Sequence, residues 1–535
     1  MFLLAALVVS PALAQPVGFY GPHRPKLVVF MVVDQMRADT LTRFADQMLP
    51  ARQSNGQPGG LRYLIEKGAY HSQCYIDHIP AHTAPGHATL ATGADPSVHG
   101  IVGNQWWDAT GKRFEAYGDD AYPQVHGNAT ITAAPTLLQG TTFSDEIKLA
   151  SNGRSRVFSL ASKARAAVLM GGHTADLALW LDADTGDWTT SSYYQAALPD
   201  WLKRFNADPW IRKFLGWTWK LGRSKEIYSR SHVSPLVGSY EAYQKPIQLP
   251  PQSGAAFIAA LEGTPLGDTW SFRLGEAVVD AEHLGKSGVP DVLCMSFSSY
   301  DKIGHAVGPY SPELQDTLLD FDHDLAEFLG FLQKRVGLEN CVLVLTADHG
   351  AGLIPEQARM LRMPAGRESP AATVATVESA LTQRFGPGHY VTAFSEPNLT
   401  LSRAHLSEQQ LPEARQVAAH ALLQDPAVQA AFTREEILEN RLPRTPLGDV
   451  VSRSYFDGRS GDVVIVNRPF WIYSHYGATH GTPWTYDTHI PFLMAGPGIQ
   501  PGERVQRCNQ RDIAATLCHL LQVNLPSGCQ GIVQP

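Results

Sequence analysis

Three acidic residues stand where apolar runs stop: Asp34 in KLVVFMVVDQ, Asp301 in DVLCMSFSSYD and Asp348 in CVLVLTADHG. Imidazoles accompany them. His305 follows Asp301 by four positions in YDKIGH, His349 adjoins Asp348, and YGATHGTPWTYDTHIP adds His480 and His489 late in the chain. A single Asp at the end of a strand is ordinarily a turn or cap residue. Carboxylates and imidazoles in this number are a donor set that suits zinc, enough for two mixed Asp/His sites that each keep a position open for substrate. A further stretch, HIPAHTAPGHATLATG, turns tightly around Thr83 between His82 and His87. By itself, a Thr ahead of a Pro-initiated turn reads as a helix N-cap.

The elements that must position these residues are legible around them. Continuous runs rich in Val and Leu suit strands buried on both faces, as in a parallel sheet covered by helices. Between Asp301 and Asp348 lies SPELQDTLLDFDHDLAEFLGFLQKR, with Ser311 as N-cap, Pro312 at the first helical position, and Leu314, Leu318, Phe321, Leu325, Phe328 and Leu332 on one face. Strand, helix and strand make a βαβ unit. Ligands in open α/β sheets gather outside the carboxyl ends of the strands, so Asp34, Asp301 and Asp348 are expected to converge there. The fold class expected is α/β, with a large, mostly parallel sheet covered by helices on both faces.

Two regions read as insertions into that fold. Over about 180–250, WLDADTGDWTTSSYY forms a hairpin around Thr185-Gly186, and Trp201, Trp210, Trp217 and Trp219 pack in a cap. Asp182, Asp184 and Asp187 are spaced somewhat like a calcium loop, but the Gly is misplaced for an EF-hand and a solvated turn is the better reading. An additional Ca2+ stays open. Over about 355–470, the helix-like ATVATVESALTQRFG and LPEARQVAAHALLQ flank a strand-like NLTLS, which suggests a small α+β unit.

The 535 residues carry a formal charge of -8, which leaves no basic stripe to track a phosphate backbone and excludes nucleic acid as a stable partner. The first residues, MFLLAALVVSPALAQP, end in an A-x-A-like Ala12-Leu13-Ala14 and read as a signal peptide over 1–14, with 15–535 as the mature chain. That implies a periplasmic or secreted protein. The run is too short to span a bilayer and no other segment reaches about 18 apolar residues, so no membrane partner is expected. In an exported chain the six cysteines can pair. Cys294 and Cys341 sit in apolar runs and read equally as buried thiols, while Cys508, Cys518 and Cys529 cluster. One disulfide among those three is the expectation, with its connectivity open.

In the order VVDQMRAD, HTAPGHATLATG, SKARAAVL, YDKIGH, TADHG and GATHGTPWTYDTHIPF, the chain resembles the alkaline phosphatase superfamily. Within it the similarity is to the threonine-nucleophile bacterial alkaline phosphatases, relatives of the nucleotide pyrophosphatase/phosphodiesterases. The resemblance runs over most of the mature chain. It implies two Zn2+ per active site, one held by Asp301, His305 and His480, the other by Asp34, Asp348, His349 and Thr83. Thr83 is then the nucleophile, and the expected reaction is hydrolysis of phosphate monoesters through a covalent phosphothreonine intermediate.

Lys163 and Arg165 in SLASKARAAVL are two apart, so an extended segment would point both to one face, where two cations suit a dianionic monoester. Alone, the pair reads as solvated surface charge. The resemblance makes them substrate-binding residues together with Asn104, and separates the monoesterases from the diesterase branch, which is not expected to carry the pair. Thr83-Ala84-Pro85-Gly86-His87 lacks the Arg of a sulfatase C/S-x-P-x-R motif. A nucleotide pyrophosphatase/phosphodiesterase is the alternative within the superfamily. A zinc-binding protein without turnover is the alternative from another class, although such a protein is expected to lose its nucleophile or clamp first. Small phosphate monoesters are the expected partners of a monomeric enzyme.

Overall fold

Seven consecutive apolar residues, LVVFMVV, form strand β1 (Leu27–Val33), and every one is buried. They sit in the middle of the main sheet of a computed structural model that describes residues 24–231 and 247–535. The signal peptide expected over 1–14 lies outside these residues, as does part of the region about 180–250. The other strands of this sheet are β2 (Ala69–Tyr75), β3 (Val157–Ala161), β4 (Leu177–Leu181), β5 (Trp188–Thr189), β6 (Asp291–Phe297), β7 (Cys341–Thr346), β8 (His489–Ala495), β9 (Gly502–Arg504) and β10 (Cys508–Asn509). Their order is β9-β2-β8-β7-β1-β6-β3-β4-β5, with β10 also paired to β2.

The centre is parallel, as continuous apolar strands require. Leu27 of β1 lies opposite Asp291 of β6 on one side and Cys341 of β7 on the other, and β6, β3 and β4 continue in the same sense. Antiparallel pairing enters at β8, which runs against both β7 and β2, and at β5. The sheet is therefore mixed and mostly parallel, and the α/β class expected from the sequence is the one found. The hairpin around Gly186 does not stand apart from it: its strands are β4 and β5, the end of the main sheet. Trp219 belongs to the main hydrophobic core, against which Trp201, Trp210 and Trp217 also pack.

Helices pack on this sheet in two sets. One contains α1 (Thr83–Thr92), α2 (Ala164–Gly171) and α6 (Asp512–Leu521). The other contains α3 (Leu266–Ala281), α4 (Ser299–Val307) and α5 (Pro312–Arg335). Helix α5 begins as its sequence dictates: the Ser311 hydroxyl accepts from Leu314 N at 3.2 Å, Pro312 follows, and the six apolar residues of its inner face are all buried.

A second, four-stranded antiparallel sheet has the order Val391–Ser395, Asn398–Leu401, Val463–Asn467, Val428–Thr433. The helices Pro370–Phe385 and Leu411–Leu422 cover it around a separate apolar cluster that includes Val377, Leu399, Ala418 and Ile465. Among the described residues, no helix is long and apolar enough to cross a membrane.

Candidate active site

Because β6, β1 and β7 are neighbours and parallel, their carboxyl ends deliver three carboxylates to one place. Asp34 follows β1, Asp348 lies two residues beyond β7, and Asp301 sits in the first turn of α4, which begins directly after β6. All three are buried, at 0%, 0% and 3% exposure. His305 is one helical turn beyond Asp301 and so shares its face, with Nε2 3.2 Å from Asp301 Oδ1. His480 arrives from the loop before β8, its Nε2 3.8 Å from the same oxygen. His349 Nε2 lies 3.3 Å from Asp34 Oδ1 and 3.4 Å from Asp348 Oδ2.

Each of these imidazoles is aimed in the same way. His305 Nδ1 donates to Ala478 O at 2.8 Å, His480 Nδ1 to Ala81 O at 2.7 Å, and His349 Nδ1 to Gly350 O at 3.1 Å. A ring whose Nδ1–H is tied to a carbonyl presents an unprotonated Nε2 as a ligand. Gly477 lets the loop come close enough for this. It has a φ of 64°, and a Cβ there would lie 1.8 Å from His305 O.

The donor set fits divalent cations. Asp301, His305 and His480 bring their ligand atoms within 4.8 Å of one another, and so do Asp34, Asp301 and His349. Among the described residues, Asp34 Oδ1, Asp348 Oδ2 and His349 Nε2 are buried with no hydrogen-bond partner. Orphaned buried carboxylate oxygens are costly unless a cation compensates them. One difference from the sequence expectation emerges: Asp301 lies within reach of both ligand groups, not of the His305 and His480 group alone.

Thr83 is the first residue of α1, and the cap is His82, with no side chain capping the helix. The N-cap role that its sequence context suggests is therefore not what it does. His87, one turn on, donates from Nδ1 to Thr83 O at 2.8 Å, and the same nitrogen is 3.4 Å from Asp348 Oδ2. Gly86 brings α1 against the end of β7, where a Cβ would sit 2.5 Å from Asp348 O. Asn104 Oδ1 accepts from Ala84 N at 2.8 Å, beside Thr83.

Lys163 and Arg165 also come to the site, though not on an extended segment. Lys163 is the N-cap of α2 and Arg165 lies in its first turn. The Lys163 ammonium bridges Asp34 and Asp301, at 2.6 Å from Asp301 Oδ2. Burial pulls its pKa down, but Asp301 and Asp34 outweigh that and hold it above the ordinary lysine value. Burial likewise pushes Asp301 up, while Lys163 and then His305 pull it well below the ordinary range. Arg165 Nε is buried without a hydrogen-bond partner among the described residues.

Residues 28–490 match the family described as type I phosphodiesterase / nucleotide pyrophosphatase. The chain belongs to that family. The alkaline phosphatase PafA of Elizabethkingia meningoseptica is 33% identical, the alignment covering 99% of this chain and 97% of that protein. The alkaline phosphatase PhoV of Synechococcus elongatus is 33% identical over 95% of this chain and 92% of its own length. The crystal structure of wild-type PafA superposes with a TM-score of 0.86 at 32% identity, covering 95% of this chain and 98% of that one.

The site of this type I phosphodiesterase / nucleotide pyrophosphatase family member contains a residue that the sequence reading passed over. Gln35 adopts a left-handed φ of 69° and is 1% exposed. Its backbone N–H donates to Asp348 Oδ1 at 3.2 Å and its Nε2 to Asp301 Oδ1 at 2.8 Å, so one residue fixes carboxylates from two different strand ends. The signal was its place directly after Asp34. His489, in contrast, points away: its Nε2 donates to Ser72 O at 2.9 Å and its ring stacks on Tyr75.

Proposed function

We propose that this chain is an exported, zinc-dependent alkaline phosphatase that hydrolyses small phosphate monoesters through a phosphothreonine on Thr83. One zinc would be held by Asp301, His305 and His480, and the other by Asp34, Asp348, His349 and Thr83. Bound there, the two ions would favour ionisation of the hydroxyl and offset the charge that develops on phosphate and leaving group. Manganese or cobalt would accept the same donors.

The chain's own residues supply the rest. Thr83 Oγ attacks phosphorus in line as the bond to the ester oxygen breaks, and water then cleaves the phosphothreonine to release inorganic phosphate. At the start of α1, Thr83 stands at the positive end of the helix, which favours a phosphoryl group. Asn104 Nδ2 donates to one phosphoryl oxygen, and Lys163 and Arg165 face the others. The observation that carries the monoesterase reading is Arg165. Its Nε is buried without a partner, beside a lysine that already touches the carboxylate cluster. Two cations match the dianion of a monoester and are superfluous for the monoanion of a diester.

The test compares kcat/KM for p-nitrophenyl phosphate and bis-p-nitrophenyl phosphate on zinc-loaded protein. A ratio far above one is expected for the wild type, and Arg165→Ala should lower monoesterase activity about tenfold or more while diesterase activity changes little. Equal losses would remove Arg165 from the phosphate. A wild-type ratio below one would make the protein a diesterase, and stoichiometric zinc with no turnover would make it a metal-binding protein of another class.

A further inference from the structure

Strand β10 is only Cys508–Asn509, and it pairs in parallel with the end of β2 so that Cys508 lies directly opposite Cys74. Neighbouring strands are about 4.8 Å apart, which is inside the Cα separation of about 4.4–6.8 Å that a disulfide spans. Both side chains are buried, at 0% and 1% exposure. The sequence reading expects one disulfide among Cys508, Cys518 and Cys529, with its connectivity open. Cys518, in α6, and Cys529, which lies against Gly93, are near enough to influence each other, so that pair stays open as well.

We infer that Cys74 and Cys508 form a disulfide that staples the C-terminal segment to β2 beside the active site. His71, on the same strand as Cys74, hydrogen-bonds to Cys508, and a β-bulge between Ile490 and Phe492 of β8 lies beside the two. A hydrogen bond from the Cys74 thiol draws the Cys508 thiol down, burial opposes it, and a hydrogen bond from His71 adds to the pull. With His71 as a hydrogen-bond partner besides Cys74, Cys508 is placed as the thiol that starts the exchange, since the thiolate is the attacking form. The oxidant is a small-molecule or protein disulfide. The Cys508 thiolate attacks one of its sulfurs and expels the other as a thiolate, and Cys74, losing its proton, then attacks Cys508 Sγ and releases the second thiol. The protons of Cys74 and Cys508 end on the two released sulfurs, and the oxidant is reduced by two electrons.

The staple would act on the segments that hold the chemistry. Two residues after Cys508, Gln510 donates from Nε2 to Ala347 O at 3.1 Å and to Asp348 O at 3.0 Å, and its backbone N to Tyr75 O at 2.8 Å. Beyond Cys74, the chain runs through Tyr75 and His78 into His82 and Thr83, and His78 Nε2 is 3.4 Å from Gln510 Oε1. A covalent link between the strands therefore ties the approach to Thr83 to the residue that braces Asp348.

The test uses full-length protein incubated with oxidised glutathione, denatured in an alkylating agent and mapped by mass spectrometry without reductant. The expected result is one cross-linked pair carrying Cys74 and Cys508, lighter by two hydrogens than its separate peptides and lost on dithiothreitol. Recovery of both residues alkylated, or of Cys508 linked to Cys518 or Cys529, would overturn the pairing. On the same oxidised sample, Cys74→Ser should abolish that cross-link and lower Tm by several degrees relative to the oxidised wild type. An unchanged Tm would overturn the stapling role.

Discussion

A threonine hydroxyl is scarcely ionised in neutral water, so what Thr83 can do depends on what surrounds it. It opens α1, caps nothing, and shares a turn with His87, which touches both its carbonyl and Asp348. Thr83→Ala should therefore leave metal content and folding intact while monoester turnover falls by on the order of 10³ or more. Zinc analysis beside steady-state kinetics checks this, and near-wild-type turnover in the variant would end the nucleophile assignment. The carboxylates and imidazoles of this site were open to sequence reasoning because charged residues at the ends of buried strands are chemically conspicuous. Gln35 was not, since its place directly after Asp34 is its one mark and its left-handed φ is a property of the folded path. Asp301 was placed on one side of the site, and only the neighbouring positions of β6 and β1 bring it within reach of both ligand groups.

At the scale of elements, the central strands and α5 were readable from local pattern alone: apolar runs for β1, β6 and β7, and Ser311-Pro312 ahead of a 3.6-residue apolar period for α5. The start of α2 was not. SLASKARAAVL passes from strand to helix within a few residues, and Lys163 is a cap with no side-chain hydrogen bond to announce it. The contact between α1 and the end of β7 was equally hidden, because it depends on what Gly86 lacks. A Cβ at that position would meet Asp348 O at 2.5 Å and Asp348 Cβ at 2.9 Å, and backbone cannot yield as a flexible side chain does. Gly86→Ala should displace α1 and Thr83 with it. Since a shift of about 1 Å can cost about 10²-fold in rate, kcat should fall by at least tenfold with a smaller change in zinc content. An unaltered kcat would mean that the helix absorbs the methyl group without moving Thr83.

On the scale of the whole molecule, the second sheet braces the loop that carries His480. Trp484 Nε1 donates to Asn467 O at 3.0 Å, and Asn467 Nδ2 donates to Glu396 Oε1 at 2.7 Å in the turn between two of that sheet's strands. On the loop's other side Asp487 accepts from Thr482 Oγ1 at 2.6 Å and from Thr482 N at 2.9 Å. Burial, and then the proximity of Asp487, raise Glu396 to about 8; burial raises Asp487 to about 7 despite its bonds to Thr482. A carboxyl whose pKa is raised by folding binds its proton more tightly in the native state. Its contribution to stability is complete below the ordinary glutamate value near 4.5 and is lost as pH rises through about 8. Above the raised values of both groups, the seam would thus carry two ionised carboxylates. Glu396→Gln keeps an acceptor for Asn467 and removes one of those charges. The variant should melt several degrees above the wild type at pH 9, with the gap closing steadily toward pH 5. Zinc-loaded protein in a pH series of thermal melts gives the comparison. A variant less stable than the wild type at pH 9 would mean that the ionised carboxylate holds the sheet against the His480 loop, and that the seam depends on its charge.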